Sequence, residues 1–438
     1  MRKRWAVSCI VWMALLAAPA FAADEVDIGL STSGARIPGL IVEGPEPNSL
    51  TVALIGGMTG KDASAERVRN AARNFEKLGP TQRTFRLLAV PLANPDGIAL
   101  QFPPTGVAYR ENPEANALWR WLGVHAADLV LIVGTQDYGL AQALATTTVA
   151  GVGSMRAQVE PIRRQLLDVK ADSLRRSEAH REMDRRLART PRQLADELAE
   201  TYGHDFDQPL YIQAIALVAQ SRLGHVYDVK ALAEPYVNGT KNSLERPSSL
   251  VLAGHIVFTE LARKLKDPRY VEMVRKVADL GFDADGQMKE SMPYHDEYSD
   301  SVFMGTVIAA QAGGLTHERK YFDLAARHVA FMQKLVLRPD GLYRHTPATD
   351  AAWGRGNGFP AIGLALTLSE FPKNHPEYER LLHDFQAHMA ALAKYQDREG
   401  LWHNVIDYPS SYAEFTATAM IGFAMLRGMR AGWLPAAQ

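Results

Sequence analysis

The stretch 341–359, GLYRHTPATDAAWGRGNGF, concentrates side chains that could bind an acidic sugar. The candidates are His345, Trp353, Arg355 and Asn357. Glycines alternate with the last three of these, so the backbone can turn sharply or approach a ligand closely. An aromatic ring can stack on a sugar, and a planar guanidinium can hold a carboxylate by two parallel hydrogen bonds. The alternative is a helix start in which Trp353 belongs to the core and Arg355 is a surface charge.

Carboxyl groups that could serve in acid–base chemistry lie on both sides of this stretch. An ordinary glycosidase uses two carboxylates that flank the scissile bond. The candidates are Asp296, Glu297, Asp300, Asp350, Asp407 and Glu414. For each of them the alternative is a surface charge or a helix cap. Asp300, which the apolar residues SVFM follow, fits the position of a cap.

Three separated segments resemble the unsaturated uronyl hydrolases of glycoside hydrolase families 88 and 105. WGRGNGF resembles the signature of these enzymes, in which the last position is usually Trp and here is Phe359. The segment 297–304, EYSDSVFM, resembles the one that holds their catalytic Asp. GLWHNVID, followed by YAEFTATAM, resembles their late loop and closing helix. The resemblance extends over about residues 202–433 and implies an (α/α)6 barrel, a toroid of six helical hairpins.

The reaction that this resemblance implies is a hydration and not a direct displacement. The enzymes act on the 4,5-unsaturated uronic acid that polysaccharide lyases leave at the non-reducing end of an oligosaccharide. They protonate C4 of the C4=C5 enol ether and add water at C5, and the hemiketal then collapses and expels the remaining sugar. In this chain Asp300 would act as both acid and base. Aromatic neighbours such as Tyr298 would raise its pKa, so that it holds the proton near neutral pH.

The substrate contacts that follow from the resemblance involve His345, Trp353, Arg355, Asn357, Trp402 and His403. His345 and Arg355 would hold the uronate carboxylate, while Trp353 and Trp402 would stack on the sugar. No cofactor or metal ion is predicted at this site. The substrate partner is therefore expected to be an acidic oligosaccharide.

One position departs from the pattern of these enzymes. They carry a second Asp at the start of an earlier helix, where this chain has Ser248 or Ser249. Glu245 and Asp296 are the candidates to replace the missing carboxylate. Two alternatives therefore stay open: an (α/α)6 hydrolase that cleaves an intact uronic-acid polysaccharide with a conventional carboxylate pair, and a carbohydrate-binding protein without catalysis.

The elements that must position these residues are helices, which follow one another from Pro209 onward at helical spacing of apolar residues. The pattern indicates about ten of them. The segments DADGQMKES, RPDGLYRHT and DREGLWHNV each follow a helix, with glycines at 286, 341 and 400. Helical hairpins that repeat in this way collect their loops at one mouth of a toroid. We expect this all-α domain to span residues 201–438, after a helical connector at 154–200.

The preceding part, residues 23–153, has an α/β pattern. SLTVALIGG, RLLAVPLAN and ADLVLIVG are typical of buried strands in a small parallel sheet, and a helix lies between the first two. GGMTGKD and NPDG resemble a zinc carboxypeptidase, but Thr59, Asp62 and Gly134 or Thr135 stand at the ligand positions. Because a catalytic zinc needs about three protein ligands, we expect a non-catalytic domain without metal. The alternative is a generic α/β scaffold.

Residues 1–22 have the pattern of a signal peptide: a basic tip, an apolar run and the cleavage motif Ala20-Phe21-Ala22. The sequence therefore predicts a periplasmic or secreted protein that is free of the membrane after cleavage. Cys9, the single cysteine, lies in this segment, so the mature chain would have no disulfide. The formal charge of −1 becomes −4 without the segment, which contains three basic and no acidic residues. This charge argues against a nucleic-acid partner, and the oligomeric state stays open.

Overall fold

The computed structural model describes residues 23–108, 110–161, 167, 169 and 173–435. The signal peptide predicted at 1–22 lies outside the described residues. Contacts within the chain define two compact units, Met1–Leu187 and Ala188–Gln438. In the described part of the chain, no helix is both long and apolar enough to cross a membrane.

The first unit holds six strands and four helices among its described residues, and the second unit holds twelve helices. The strands are β1 (Asp24–Leu30), β2 (Arg36–Val42), β3 (Thr51–Ile55), β4 (Arg86–Val90), β5 (Leu129–Val133) and β6 (Arg156–Glu160). The helices of the first unit are α1 (Ala63–Glu76), α2 (Pro113–His125), α3 (Leu140–Thr146) and α4 (Glu178–Leu187). Those of the second are α5 (Pro191–Thr201), α6 (Tyr211–Leu223), α7 (Val226–Val237), α8 (Ser249–Gly254), α9 (Ile256–Leu265), α10 (Pro268–Ala278), α11 (Ser301–Met304), α12 (Thr306–Thr316), α13 (Arg319–Val336), α14 (Gly354–Leu368), α15 (Tyr378–Ala393) and α16 (Phe415–Ala431).

The sheet of the first unit has the order β1-β2-β4-β3-β5-β6. The predicted strands β3, β4 and β5 are confirmed, and they pair in parallel. The expectation of a purely parallel sheet was wrong, because β1 and β2 pair antiparallel with each other and β2 pairs antiparallel with β4. Val52 and Leu54 enter the core on one face of β3, whereas Ala53 and Ile55 enter the core on the other. Both faces of this strand are therefore buried, which explains its unbroken apolar run.

The predicted helical connector at 154–200 is not one element. Its first part forms β6, which pairs with β5, and α4 also belongs to the first unit. Only α5 lies in the second unit. The boundary between the units therefore falls between Leu187 and Ala188 and not at residues 153 and 201. The sequence did not indicate β6 because its five residues, RAQVE, adjoin a run of charged residues that is typical of a solvated helix.

Asp62 stands where the resemblance to zinc carboxypeptidases places a zinc ligand, and its carboxylate caps the N-terminus of α1. It accepts hydrogen bonds from the backbone N–H of Ser64 at 2.8 Å and from the hydroxyl of Thr59 at 2.5 Å. Among the described residues, no group of three or more His, Cys, Asp or Glu side chains is placed to hold a metal ion. The resemblance of this unit to zinc carboxypeptidases stays a prediction.

The second unit confirms the helical prediction and consists of two rows of helices. The inner row contains α6, α8 with α9, α11 with α12, α14 and α16, and the outer row contains α7, α10, α13 and α15. Along the inner row α6 contacts α9, α9 contacts α12, α12 contacts α14, and α14 contacts α16. If α8–α9 and α11–α12 each count as one bent helix, the described part of the second unit holds ten α-helices including α5. Six hairpins require twelve, so the closed six-hairpin toroid is not confirmed.

The repeat predicted from three glycine-containing segments forms the same turn three times. The glycine N–H donates a hydrogen bond to the carbonyl three residues earlier. The N–H of that earlier residue donates to the carbonyl of the residue directly after the glycine. Gly286, Gly341 and Gly400 have φ of 75°, 86° and 81°. Since this left-handed region favours glycine, the conformation explains the residue type. Each turn follows an outer helix and leads towards the next inner one, so the loops after α10, α13 and α15 are equivalent.

Candidate active site

Asp300 lies immediately before α11, where its side chain makes no capping hydrogen bond. The cap suggested as an alternative is therefore not formed. The side chain is 30% exposed, and its Oδ1 is buried without a hydrogen-bond partner, 3.9 Å from Nδ1 of His345. Burial raises the pKa of Asp300 from 3.8 to about 6, and the charge of Arg355 opposes this shift. The carboxyl group can therefore hold or release a proton near neutral pH.

A buried histidine of the outer row fixes the backbone beside Asp300. Nδ1 of His328 accepts a hydrogen bond from the N–H of Met292 at 3.2 Å, and Nε2 lies 3.0 Å from the carbonyl oxygen of Ser301. Burial lowers the pKa of His328 to about 4, so the ring stays neutral. A Cβ at Gly305 would lie 2.6 Å from Nε2 of His328. The bend between α11 and α12 therefore needs glycine, and it lets the imidazole reach Ser301.

The loop that enters α11 is strained. Tyr294, Asp296 and Glu297 have φ of 64°, 47° and 55°, in the left-handed region that non-glycine residues seldom adopt. The next residue, Tyr298, is 44% exposed and stacks its ring on His345 at 4.6 Å between centroids and 12° between planes. Such strain clusters at functional sites, and here it places the ring of Tyr298 against His345, a residue predicted to bind the substrate.

Arg355 is the second residue of α14, and its side chain is 56% exposed. Its Nη1 forms an ion pair with Oε1 of Glu414, whose side chain is only 5% exposed. A Cβ at Gly354 would lie 2.6 Å from the carbonyl oxygen of His403 and 2.7 Å from Oε2 of Glu414. This glycine is therefore required by close packing. A buried carboxylate and the start of the last inner helix hold the guanidinium in place.

His345 completes the cluster. Its Nδ1 is buried without a hydrogen-bond partner. Burial lowers its pKa, and the charge of Arg355 lowers it further, so the ring is neutral at pH 7. A neutral imidazole can donate one hydrogen bond to a ligand carboxylate beside the guanidinium. The backbone carbonyl of His345 also accepts a hydrogen bond from the N–H of Ser299 at 2.9 Å, which links this loop to the residue before Asp300.

Tyr211, the first residue of α6, was not identified from the sequence. Its ring lies 6.2 Å from that of Phe303 and 5.6 Å from that of Phe359. Burial raises its pKa, and the charge of Asp300 contributes to the same shift. Trp353 lies at the start of α14 with 39% exposure. Together with Tyr298 these residues give the cluster aromatic walls.

Three of the predicted substrate contacts are corrected by the structure. Trp402 is 2% exposed and donates its indole N–H to the carbonyl of Leu392 at 2.8 Å, so it belongs to the core and cannot stack on a sugar. Asn357 is fully buried and bonds the backbone of Tyr343 and Trp353, so it shapes the loop before α14.

His403 is the third correction. Its ring nitrogens lie 2.5 Å from the carbonyl oxygen of Ser411 and 3.2 Å from Oδ2 of Asp397. Burial opposes a charge on the ring, but these two hydrogen bonds outweigh it and raise the pKa of His403. Both nitrogens are occupied within the late loop, and the side chain is 13% exposed. We therefore assign His403 to the stability of that loop.

The remaining carboxylate candidates are exposed or paired elsewhere. Asp296 and Glu297 are exposed. Asp350 lies 3.2 Å from Arg344, and Asp407 lies 2.8 Å from Arg338. Of Ser248 and Ser249, which stand where the resemblance places a second Asp, Ser248 accepts a hydrogen bond from the N–H of Val251 at 3.3 Å and caps α8, and Ser249 is the first residue of that helix. Glu414 also has a buried oxygen without a hydrogen-bond partner, but its other oxygen pairs with Arg355. Among these described candidates, Asp300 therefore combines a buried oxygen without a partner with a carboxyl group that forms no ion pair with an arginine.

A helical unit whose inner helices bring a protonatable carboxyl, a guanidinium and aromatic rings together has the composition of a glycosidase site. The family model of Glycosyl Hydrolase Family 88 matches residues 179–438, more than half of the chain. The chain belongs to this family. The match contains every residue of the cluster described above.

Curated relatives resemble parts of the same region. The Unsaturated rhamnogalacturonyl hydrolase YesR of Bacillus subtilis (strain 168) is 28% identical over 137 residues, which are 30% of this chain and 40% of that protein. An Unsaturated 3S-rhamnoglycuronyl hydrolase of Alteromonas sp. (strain LOR) is 25% identical over 182 residues, 37% of this chain and 44% of that protein. The chain thus spans less than half the length of these relatives. A solved glycoside hydrolase of family 105 from C. acetobutylicum ATCC 824 aligns with a TM-score of 0.48 and 20% identity over 56% of this chain and 79% of that one.

Proposed function

We propose that the helical unit removes a 4,5-unsaturated uronic acid from the non-reducing end of acidic oligosaccharides by hydrating its enol ether. The observation that supports this most strongly is Asp300, a carboxyl with a pKa near 6 and a buried oxygen without a partner. The names of the curated relatives, which include unsaturated rhamnogalacturonyl and 3S-rhamnoglycuronyl hydrolases, support the substrate class.

In the proposed reaction, the protonated carboxyl of Asp300 donates its proton to C4. Positive charge then develops at C5 and the ring oxygen, and the Asp300 carboxylate takes a proton from the water that adds to C5. The resulting hemiketal opens and the remaining sugar leaves from C1. A carboxyl with a pKa of about 6 suits both steps, because at pH 7 about one molecule in ten carries the acid form and the rest carry the base.

The cationic side of the cluster supports recognition of the uronate. Arg355 keeps most of its guanidinium exposed although one nitrogen pairs with Glu414, so its remaining donors can bind the substrate carboxylate. Neutral His345 would donate one further hydrogen bond. Trp353, which is 39% exposed, is the aromatic side chain of the predicted set that remains available for stacking.

A conventional pair of carboxylates receives less support. Asp350 and Asp407 pair with arginines, and Glu414 pairs with Arg355. Asp296 and Glu297 are exposed, whereas burial raises the pKa of Asp300, so a reaction in which one group serves as both acid and base fits better. Binding of carbohydrate without catalysis is the competing function, because the resemblance places Ser248 or Ser249 where the family has a second Asp.

The test is the turnover of Asp300→Asn on lyase-generated oligosaccharides, followed by the loss of ultraviolet absorbance of the conjugated uronate. We expect the rate constant to fall by at least about 10², because the amide can neither protonate C4 nor activate water. Calorimetric binding of the same oligosaccharide should persist. If Asp300→Asn turns over near the rate of the wild type, Asp300 has no part in the mechanism. If the wild type binds the lyase-generated oligosaccharides but turns over none of them, the non-catalytic alternative is favoured.

We further propose that the protein is exported to the periplasm or secreted, on the basis of the signal-peptide pattern in residues 1–22. Lyase products of extracellular polysaccharides would meet the enzyme there. The first unit is proposed to be non-catalytic, because Asp62 is engaged at the start of α1. Detection of the mature chain in the cytoplasmic fraction alone would contradict the proposed export.

A further inference from the structure

A second groove lies at the opposite end of the inner helices, between the C-terminal ends of α14 and α16 and the start of α15. Its volume of about 520 Å³ is within the range of small-ligand sites. Arg355 and Glu414 stand at the N-terminal ends of α14 and α16, whereas the groove adjoins the last turns of the same helices. Since a helix of 15 residues is roughly 22 Å long, the groove is separate from the candidate active site.

The groove is strongly cationic. Lys373, Arg427 and Arg430 line it, and all of its lining residues, which lie in the described part of the chain, lack a carboxylate. The chain as a whole has a formal charge of −1, so three cations in a lining without a carboxylate are a local excess, and the nearby Glu370 pairs with Arg263. Such a concentration of one sign of charge in a concave surface attracts anions.

Arg427 is the half-buried member of these cations, whereas Lys373 and Arg430 are exposed. Its Nε donates a hydrogen bond to the neutral hydroxyl of Ser369 at 2.6 Å, and no ion pair with a described carboxylate forms within 4 Å. Two other arginines lie nearby but have their own partners: Arg222 pairs with Glu260, and Arg263 pairs with Glu370. Burial lowers the pKa of Arg427, and the charges of these two arginines lower it further, while the charge of Glu370 opposes this shift. An anion bound here would relieve the unfavourable burial and the repulsion together.

The wall beside these cations is apolar and aromatic. Phe423 is 41% exposed and Leu426 is 55% exposed, one turn apart on α16. The indole of Trp433 is held by a hydrogen bond to the hydroxyl of Tyr378 at 3.2 Å and by an edge contact with Phe385 at 5.7 Å between centroids. A fixed aromatic surface next to a forked cation matches a ring that carries a carboxylate and presents C–H groups on its face.

We propose that this groove is a second binding site for acidic saccharides, in which Arg427 holds a uronate carboxylate and Phe423 contacts the sugar ring. The site would bind the charged polymer or its fragments away from the reacting end. It is independent of the hydration reaction proposed above, because none of its residues belongs to the cluster around Asp300.

The test uses the full chain with Arg355→Gln, which weakens binding at the candidate active site, and a saturated oligogalacturonide as the probe. We expect calorimetry at low salt to detect binding that remains in this background. Adding Arg427→Gln should weaken that binding at least about tenfold, and Lys373→Gln, a change of an exposed side chain that leaves the fold intact, should weaken it by a smaller factor. Lys334→Gln, which removes an exposed cation of α13 outside the groove, is the matched control and should have no effect.

Three outcomes would overturn the proposal. The first is unchanged affinity in both groove variants. The second is equal binding of the methyl-esterified oligogalacturonide, which keeps the ring and loses the charge. The third is a combination of two results: inorganic phosphate competes at the same concentration as the oligosaccharide, and Phe423→Ser has no effect on binding. Together they would indicate a simple anion site that does not recognise a sugar. Loss of turnover in Asp300→Asn bears on the reaction alone and leaves this test unaffected.

Discussion

Replacing Asp300 with Asn should stabilise the protein above pH 6, in contrast to its effect on turnover. The folded-state pKa of about 6 is higher than the ordinary value of 3.8, so the folded state binds more protons than the unfolded state between these two pH values. Stability therefore falls as pH rises from about 4 to 6, and the loss persists at higher pH. Asn carries no charge and avoids this loss. At pH 4 the difference should be small, because the Asp is then protonated in the folded state and still about half protonated in the unfolded state.

The magnitude follows from the size of the pKa shift. The difference between a pKa of 3.8 and one of about 6 corresponds to roughly 3 kcal/mol of unfolding free energy as an upper bound. Because the side chain is 30% exposed, water screens part of this cost, and we expect about 1–2 kcal/mol. For a unit of this size that is a rise of a few degrees in melting temperature.

Thermal unfolding of both proteins at pH 4 and pH 8 is the assay. Asp285→Asn, which changes an exposed Asp in the turn after α10, is the matched control and should give no pH-dependent difference. The reasoning would be refuted if Asp300→Asn were destabilising at pH 8, or if its effect were the same at both pH values. Either result would mean that the folded protein does not disfavour the Asp300 charge.

Three further changes test the other parts of the site. Arg355→Lys keeps the charge but loses the planar fork, so kcat/KM on an acidic substrate should fall by at least about tenfold; a change within about twofold would exclude a carboxylate clamp. Glu414→Gln removes the neutralising partner of Arg355, so the pKa of Asp300 should fall. The pH above which the rate declines should then move down by on the order of half a pH unit to one pH unit. An unchanged pH–rate profile would contradict an electrostatic coupling of Glu414 to Asp300. Trp402→Ala should lower stability by roughly 3–5 kcal/mol in urea unfolding because the indole is buried, whereas a stacking residue would lose affinity with little change in stability.

Much of the second unit could be predicted from the sequence because its signals are local. Apolar residues at helical spacing indicated the helices, and the glycines at 286, 341 and 400 marked three equivalent turns that each require a left-handed residue. The proximity of Asp300, His345 and Arg355 follows from this repeat, since equivalent loops of successive hairpins lie side by side. The residues are far apart in sequence but occupy corresponding places in the fold.

The contacts that the sequence did not reveal depend on packing between distant elements. Trp402 lies between Leu401 and His403 in a loop without helical or strand spacing, and its burial and its hydrogen bond to Leu392 at the end of α15 identify it as a core residue. The pairing of Arg355 with Glu414 joins residues 59 positions apart, and nothing in either segment indicates it. A histidine in an otherwise apolar helix face, such as His328, is a weak signal for the buried group that fixes the backbone beside Asp300.

The central claim is that the enzyme hydrates C4=C5 of a terminal unsaturated uronate, and a reaction in D₂O tests it most directly. When the wild-type protein is incubated with lyase-generated disaccharides, the ultraviolet absorbance of the conjugated uronate should disappear as the second sugar is released. Mass spectrometry and NMR at early times should find one deuterium at C4 of the released uronate, because Asp300 would deliver a solvent-derived proton to that carbon. Cleavage that leaves the double bond intact, or release without deuterium at C4, would contradict the account.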